Sequence, residues 1–403
     1  MSATHLPLAR RASNLVGSVI DSSTSLLASQ THDIVRFAMG APSDNLMPVG
    51  LFNQYYGRST PGKYTYGATG GEPELVEQIV SLTQRQGIET SADRITITTG
   101  GMQGLDLACK LFVDPGDLVV VEGPTYTNGI STALSYGAEV LEAPLDENGL
   151  VVEQLPELIA RAGRTPKAIY TVPTFQNPSG ATLSRTRREH LLELAERWGS
   201  VIIDDDPYGL LRFEGGPVPG FSQLVERHPL VFSVRTFSKI LAPGLRVGWV
   251  DATAELQQLL INAKQAMDTC TNVPAQHLVA NFLKDGHLDT HLGRVKELYR
   301  ERKNAMRESL RTHFGDGIHS TDPEGGFFLW LTFAGAYADI HTQKLFEPAL
   351  QHGVAYIPGP AFSTAGNFSD ALRLCFATSA PERIEEGVIR LKRAADEMLE
   401  GIA

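Results

Sequence analysis

One lysine of this chain stands where its amine could do covalent chemistry. The run Val234-Arg235-Thr236-Phe237-Ser238-Lys239 closes an apolar stretch, and Pro243-Gly244-Leu245-Arg246-Val247-Gly248-Trp249 returns from it. A lysine amine can form an imine with an aldehyde. The hydroxyls of Thr236 and Ser238 and the guanidinium of Arg246 could hold a phosphate dianion from the same side. A Ser-Lys pair alone is common in polar loops. The spaced arginine and the glycines after it single this one out.

Other chemistry-bearing groups are spread along the chain. Gly100-Gly101-Met102-Gln103 lies between a strand-like run and a helix-like one. Such a turn aims free backbone N–H groups and the positive helix end at an anion. It is not a Walker loop, because no Gly-Lys-Ser/Thr follows. Ile203-Asp204-Asp205-Asp206-Pro207-Tyr208 sets three carboxylates and a phenol at the end of an apolar run; a solvated acidic turn is the plainer reading. Asn177-Pro178-Ser179-Gly180 is turn-forming by composition alone. Ala371-Leu372-Arg373-Leu374-Cys375-Phe376 holds one arginine inside an apolar strand. If buried, that guanidinium needs a partner; the alternative is an edge strand facing water. Tyr126 follows a proline turn, where an aromatic is ordinarily core. His287 and His291 stand four apart on a helix, a spacing that could bind zinc. No third ligand accompanies them, so no metal is expected.

The elements that must position these groups follow an α/β rhythm from about residue 93. Strands are expected at Ile95–Thr99, Leu118–Val121, Ala168–Val172, Val201–Ile203, Leu230–Val234 and Val247–Val250. Helical stretches lie between them, including one whose Leu105, Ala108, Cys109 and Phe112 share a face. Apolar strands separated by helices imply a sheet covered on both sides. After about residue 285 a charged helix, Arg294 to Arg311, leads into strands at Phe327–Leu331 and Arg373–Phe376 and a last helix from Pro381. The expected division is an N-terminal segment 1–45 packing on a small domain, a large domain 46–285 and a small α+β domain 286–403.

Composition narrows the partners. With 403 residues, 42% apolar and 20% charged, the chain reads as an ordinary globular protein of two packed domains. A net charge of −11 opposes nucleic acid and anionic membrane. Only the first few residues look disordered. No apolar window is long enough to span a bilayer, and Asn14, Ser18, Asp21 and Ser22 interrupt any leader-like run after Arg10 and Arg11. Three scattered cysteines suit a reducing compartment, and Cys109 and Cys375 read as small core residues. The expected location is the cytoplasm.

Taken together, these motifs resemble the fold-type I pyridoxal 5′-phosphate (PLP) aminotransferases of class I/II, over nearly the whole chain from about Phe37. The chain looks most like the branch of 2-aminoadipate and kynurenine aminotransferases and the aminotransferase-like part of MocR-type regulators. Only some 35 residues precede Phe37, too few for the winged helix of such a regulator. The resemblance implies an α/β fold: a large domain with a mainly parallel mixed sheet between helices, plus a smaller α+β domain. It implies PLP carried as an internal aldimine on Lys239. Asp205 would pair with the ring nitrogen, ranked above Asp204 and Asp206 by its spacing to Tyr208, and a carboxylate there keeps that nitrogen protonated. Tyr208 and Asn177 would reach the ring oxygen, and Tyr126 would stack on the ring. The backbone of Gly101 and Met102 would hold the phosphate with Thr236, Ser238 and Arg246. Gly101 and Met102 depart from the family pattern by offering no side-chain donor. Arg373 would fork onto the substrate carboxylate, with Asn177 and the Gly40 turn in Phe37-Ala38-Met39-Gly40-Ala41-Pro42 lining the substrate mouth. Tyr66, in Tyr64-Thr65-Tyr66-Gly67-Ala68-Thr69-Gly70-Gly71, would cross to the phosphate of a second subunit, making a homodimer with composite sites. The implied reaction moves the amino group of an L-amino acid to a 2-oxo acid. A different PLP reaction on the same scaffold, β-elimination or decarboxylation with oxidative deamination, is the alternative.

Overall fold

The computed structural model describes residues 7–15, 17, 33–224 and 230–401. The first six residues, Ser18, Asp21 and Ser22 therefore lie outside the described part. Fourteen strands are described. In chain order they are β1 (Val35–Arg36), β2 (Ile95–Thr98), β3 (Leu118–Gly123), β4 (Glu139–Asp146), β5 (Gly149–Leu150), β6 (Ala168–Thr171) and β7 (Val201–Asp205). Then come β8 (Val231–Thr236), β9 (Gly248–Asp251), β10 (Ile318–Ser320), β11 (Phe328–Phe333), β12 (Val354–Ala355), β13 (Ile357–Pro358) and β14 (Ala371–Cys375).

Eight of them form one sheet in the order β2-β9-β8-β7-β6-β3-β4-β5. The run β8-β7-β6-β3-β4 is parallel, while β9 is antiparallel to both β2 and β8. Strands β3, β6 and β7 are buried at every residue, as their leading apolar stretches require of strands covered on both faces, and their polar ends Glu122, Thr171 and Asp204-Asp205 are buried with them. Helices cover them. Helix Gly101–Phe112 lays Leu105, Ala108 and Cys109 on the sheet. A Cβ at Gly104 would come within 2.8 Å of Val234, so glycine there lets the helix approach closely. Helix Arg185–Trp198 starts at a Ser184 cap whose side chain accepts the Arg187 amide, and it ends at Gly199 with φ 64°.

The second, smaller sheet runs β10-β11-β14-β13, all antiparallel. Phe314 of the long helix His287–Phe314 packs its ring on Phe333 of β11 at 6.1 Å, and the last helix, Pro381–Leu399, packs along the long one. Strand β1 pairs in parallel with β12, tying the N-terminal segment to this smaller unit. The short turn Arg10–Asn14 instead lies beside helix Thr127–Ser135 of the large sheet, so the segment touches both units.

Two boundaries differ from the sequence reading in a way that matters. Strand β7 continues two residues past Ile203 because Asp204 and Asp205 keep pairing with Ser233 and Val234 of β8. The long helix starts at His287 and not at Arg294, with Leu288 and Leu292 buried on its inner side. His287 and His291 put their rings against Phe282, at 5.7 and 6.0 Å.

Segment 173–183, which follows β6, is fastened by a buried arginine. Arg188 is 1% exposed; its Nε donates to Leu183 O at 2.9 Å, and its Nη2 to Pro173 O at 2.7 Å and Thr174 Oγ1 at 3.1 Å. Arg188→Met would keep the aliphatic stem but leave these buried oxygens without their donor, at about 1–3 kcal/mol each. Denaturant unfolding should show a loss of at least about 2 kcal/mol. A variant as stable as the parent would contradict this role.

Candidate active site

The parallel strands end along one edge, and a cavity of about 280 Å³ opens beyond it. Ligands in open α/β sheets bind at such carboxyl ends. Every site residue named from the sequence, except Tyr66, lines this one cavity.

Lys239 follows β8. Its Nζ donates to Gly40 O at 2.7 Å, linking it to the mouth turn. Burial first, and then the positive charge of Arg373, bring its pKa down to about 8. An amine so poised is neutral, hence nucleophilic, over much more of the physiological range than an ordinary lysine.

Asp205 is the last residue of β7 and is 7% exposed. Its neighbours are engaged elsewhere. Asp204 bonds Arg235 Nη2 at 2.7 Å and Ser233 Oγ at 2.9 Å, and Asp206 caps the Gly209 amide at 2.7 Å. Of the three carboxylates only Asp205 lines the cavity. Burial pushes its pKa up to about 7, opposed by a hydrogen bond from Tyr170 and by the Arg235 charge. Tyr208 is buried edge-on to Phe327 and Phe328, at 5.4 and 5.9 Å, and burial raises its pKa well above 10.

An anion cup forms where helix Gly101–Phe112 begins. Thr236 Oγ1 donates to Ser238 Oγ at 2.9 Å, and Arg246 Nη1 reaches the same oxygen at 3.3 Å. Arg246 Nη2 donates to Thr99 O at 3.2 Å, just before the helix. Arg246 itself adopts φ 53°, a left-handed conformation costly for a residue with a side chain. Its guanidinium lies so close to Gly100 that a Cβ there would come 2.3 Å from Nη2, and Gly100 has φ 79°. Tyr126 lines the cavity and donates to Met102 Sδ at 3.7 Å.

Arg373 is buried in the middle of the small sheet, between β11 and β13, and not on a wet edge. Nη1 donates to Asn177 Oδ1 at 2.9 Å and Nη2 to Ala38 O at 2.7 Å. Phe328 and Phe362 pack on its guanidinium, at 4.2 and 5.2 Å. Burial lowers its pKa to about 10, so it stays a cation at neutral pH. Its buried Nε has no hydrogen-bond partner among the described residues. A guanidinium cation lining the cavity suits a carboxylate.

Tyr66 is the exception: it is 88% exposed and does not line its own chain's cavity. The structure also adds residues that sequence reasoning passed over. Tyr170 on β6 donates to Asp205 Oδ2 at 2.9 Å. Gln176 Nε2 bridges Glu122 Oε2 (3.0 Å) and Pro124 O (2.7 Å), while its Oε1 accepts the Ser179 amide and hydroxyl. That network, with Arg188, holds the turn that carries Asn177. Strand parity was the available signal for Tyr170, since Ala168 and Tyr170 share one face of β6. Nothing local marks Gln176 or Glu122.

These residues fit a phosphorylated aromatic aldehyde: an amine, a carboxylate, a hydroxyl-guanidinium cup and a buried guanidinium line one space. A model of the family "Aminotransferase class I and II" matches residues 33–391. The chain belongs to this family. Aromatic-amino-acid aminotransferase 1 of Thermococcus litoralis is 36% identical over 376 residues, covering 91% of this chain and 89% of that one. The kynurenine aminotransferase of Pyrococcus horikoshii, solved with PMP, superposes with a TM-score of 0.90 at 35% identity over 97% of each chain. LysN, the α-aminoadipate aminotransferase of Thermus thermophilus, solved with N-(5′-phosphopyridoxyl)-L-leucine, gives 0.88 at 32% over 98% of each. The protein is a PLP-dependent aminotransferase of fold type I. These relatives favour amino transfer over elimination or oxidative decarboxylation. Among the described residues, no group of three metal-ligating side chains is found, and no helix is long and apolar enough to cross a membrane.

Gly100→Ala should displace the Arg246 guanidinium and strain the backbone, weakening PLP by tenfold or more, about 1.4 kcal/mol. Titration of the apoenzyme with PLP and with pyridoxal checks this. Pyridoxal, which lacks the phosphate, should lose much less, and an equal loss for both would contradict the cup.

Proposed function

We propose that Lys239 Nζ bonds the cofactor and moves the substrate proton, while Asp205, Asn177, Tyr208 and Tyr126 hold the ring. The observation that carries this is the convergence of Lys239, Asp205, Arg246 and Arg373 on one cavity. Bound PLP supplies an aldehyde that takes up the amino group and a ring that draws electron density from the carbon losing its proton. The rest is work for the chain. Gly101 and Met102 amides, Thr236, Ser238 and Arg246 hold the phosphate and fix the ring's distance from Lys239. The Asp205 carboxylate keeps the ring nitrogen protonated. Arg373 takes the α-carboxylate of an L-amino acid on its fork, and Asn177, bonded to that arginine, keeps the carboxylate site and the ring site in register. With its pKa brought down to about 8, Lys239 Nζ would be the amine that takes the α-proton and delivers it to the former aldehyde carbon, two atoms along across the intervening nitrogen. A 2-oxo acid then enters on Arg373 and the path runs backwards.

The working unit is a homodimer with composite sites. Tyr66 is exposed beside exposed Tyr64, outside its own cavity, and a phenol there can serve a phosphate only in a second copy. On this reading 46–285 make up a large domain and 286–403 a small one, with the N-terminal segment 1–45 packing on the small one through β1, which pairs with β12. Three free cysteines support a cytoplasmic location.

Mixing a Lys239→Ala subunit with a Tyr66→Phe subunit tests the composite site. One pocket then carries both lesions and the other neither, so amino transfer to a 2-oxo acid should recover in the mixed dimer. No recovery in a verified mixed dimer, or full activity in an isolated monomer, would overturn it.

A further inference from the structure

The chemistry above makes no use of Tyr170, although this phenol is buried (4% exposed) against the group on which the electron sink depends. Its Oη lies 2.9 Å from Asp205 Oδ2, reaching across from β6 to the end of β7. Burial first, and the Asp205 charge next, raise the phenol's pKa well above 10. It therefore keeps its proton and can only donate to the carboxylate. The packing admits the side chain at full length. A Cβ on Gly129, in helix Thr127–Ser135, would come within 2.5 Å of the ring's Cζ and 2.7 Å of the hydroxyl itself. Glycine opposite the hydroxyl is what leaves it free to reach Asp205.

Asp205 needs such a donor. Asp204 and Asp206 on either side oppose its charge, and burial opposes it more; Arg235 on β8 favours it but is itself bonded to Asp204. On the cavity side, Lys239 also favours the charged form, and Tyr208, Tyr126 and Arg373 stand around the same space. We propose that Tyr170 is a positioning residue for the cofactor's ring nitrogen: by bonding Asp205 Oδ2 it holds the carboxylate charged and fixed, leaving Oδ1 to the ring. This rests on the reading of Asp205 as the ring nitrogen's partner. A tyrosine that only fills the core would owe nothing to its hydroxyl.

The test is Tyr170→Phe, which keeps the ring and removes the donor, studied as holoenzyme carrying PLP labelled with ¹⁵N in the ring. The nitrogen resonance should move toward the unprotonated position near neutral pH, its midpoint falling by about one pH unit, the scale of one hydrogen bond. The kcat should drop roughly tenfold with little change in KM, since Arg373 is untouched, a split that lost packing would not produce. Gly129→Ala, which crowds the hydroxyl without deleting it, should move the resonance the same way by less. A parental resonance and kcat in folded Tyr170→Phe would overturn the proposal, as would a parental resonance in Gly129→Ala. Asp205→Asn, run alongside, separates the two readings. If it shifts the resonance and Tyr170→Phe does not, Asp205 keeps its role and Tyr170 loses its own. If neither shifts it, both fall.

Discussion

A carboxylate enclosed at the end of a buried strand must find cationic or hydrogen-bonding company or give up its charge, and the centre of this molecule is arranged around that requirement. Asp205 sits where β7 stops, with burial pulling its pKa up to about 7. Tyr170, Arg235 and Lys239 pull the other way from β6, β8 and the turn beyond. Tyr170 and Arg235 are delivered by strands of the same parallel run, so their spacing is fixed by backbone hydrogen bonds, and Lys239 by the turn that directly follows β8. Under the proposed role of Asp205, the protonated ring nitrogen of PLP would complete the set, making a carboxylate that is costly in the fold useful in the chemistry.

The second charge problem is solved differently. Among the described residues Arg373 has no carboxylate beside it; aromatic faces and two oxygens hold it in place while one nitrogen stays unbonded. Asn177 joins the small sheet's arginine to a turn anchored on the large sheet, which under the proposed roles would hold the substrate carboxylate and the cofactor ring in one frame. Glu122 and Gln176 on one side of that turn, and Arg188 on the other, are what keep the frame stiff.

Much of this was legible in the sequence because strand-end motifs carry chemistry and periodicity together. Lys239, Arg246 and Arg373 stand out by residue type in apolar surroundings, and all three line the cavity. Choosing Asp205 among three aspartates rested on its spacing to Tyr208, and the structure gives the geometric difference: Asp204 and Asp206 are occupied by Arg235 and by the Gly209 amide. What stayed hidden was pairing at a distance. Tyr170 stands 35 residues from its partner, and a tyrosine in an apolar strand looks like core until β6 and β7 are laid side by side. The extension of β7 to Asp205 is set by β8, again a non-local cause. Arg10–Asn14 meets the large unit through a surface that composition does not reveal.

The proposed covalent attachment of the cofactor rests on one atom, the Nζ of Lys239. Borohydride reduction of the holoenzyme followed by peptide mapping reads it directly. The cofactor should be found bound to the peptide containing Ser238-Lys239, and Lys239→Ala should yield no labelled peptide while still folding. Label on any other lysine of the unsubstituted enzyme would contradict the account.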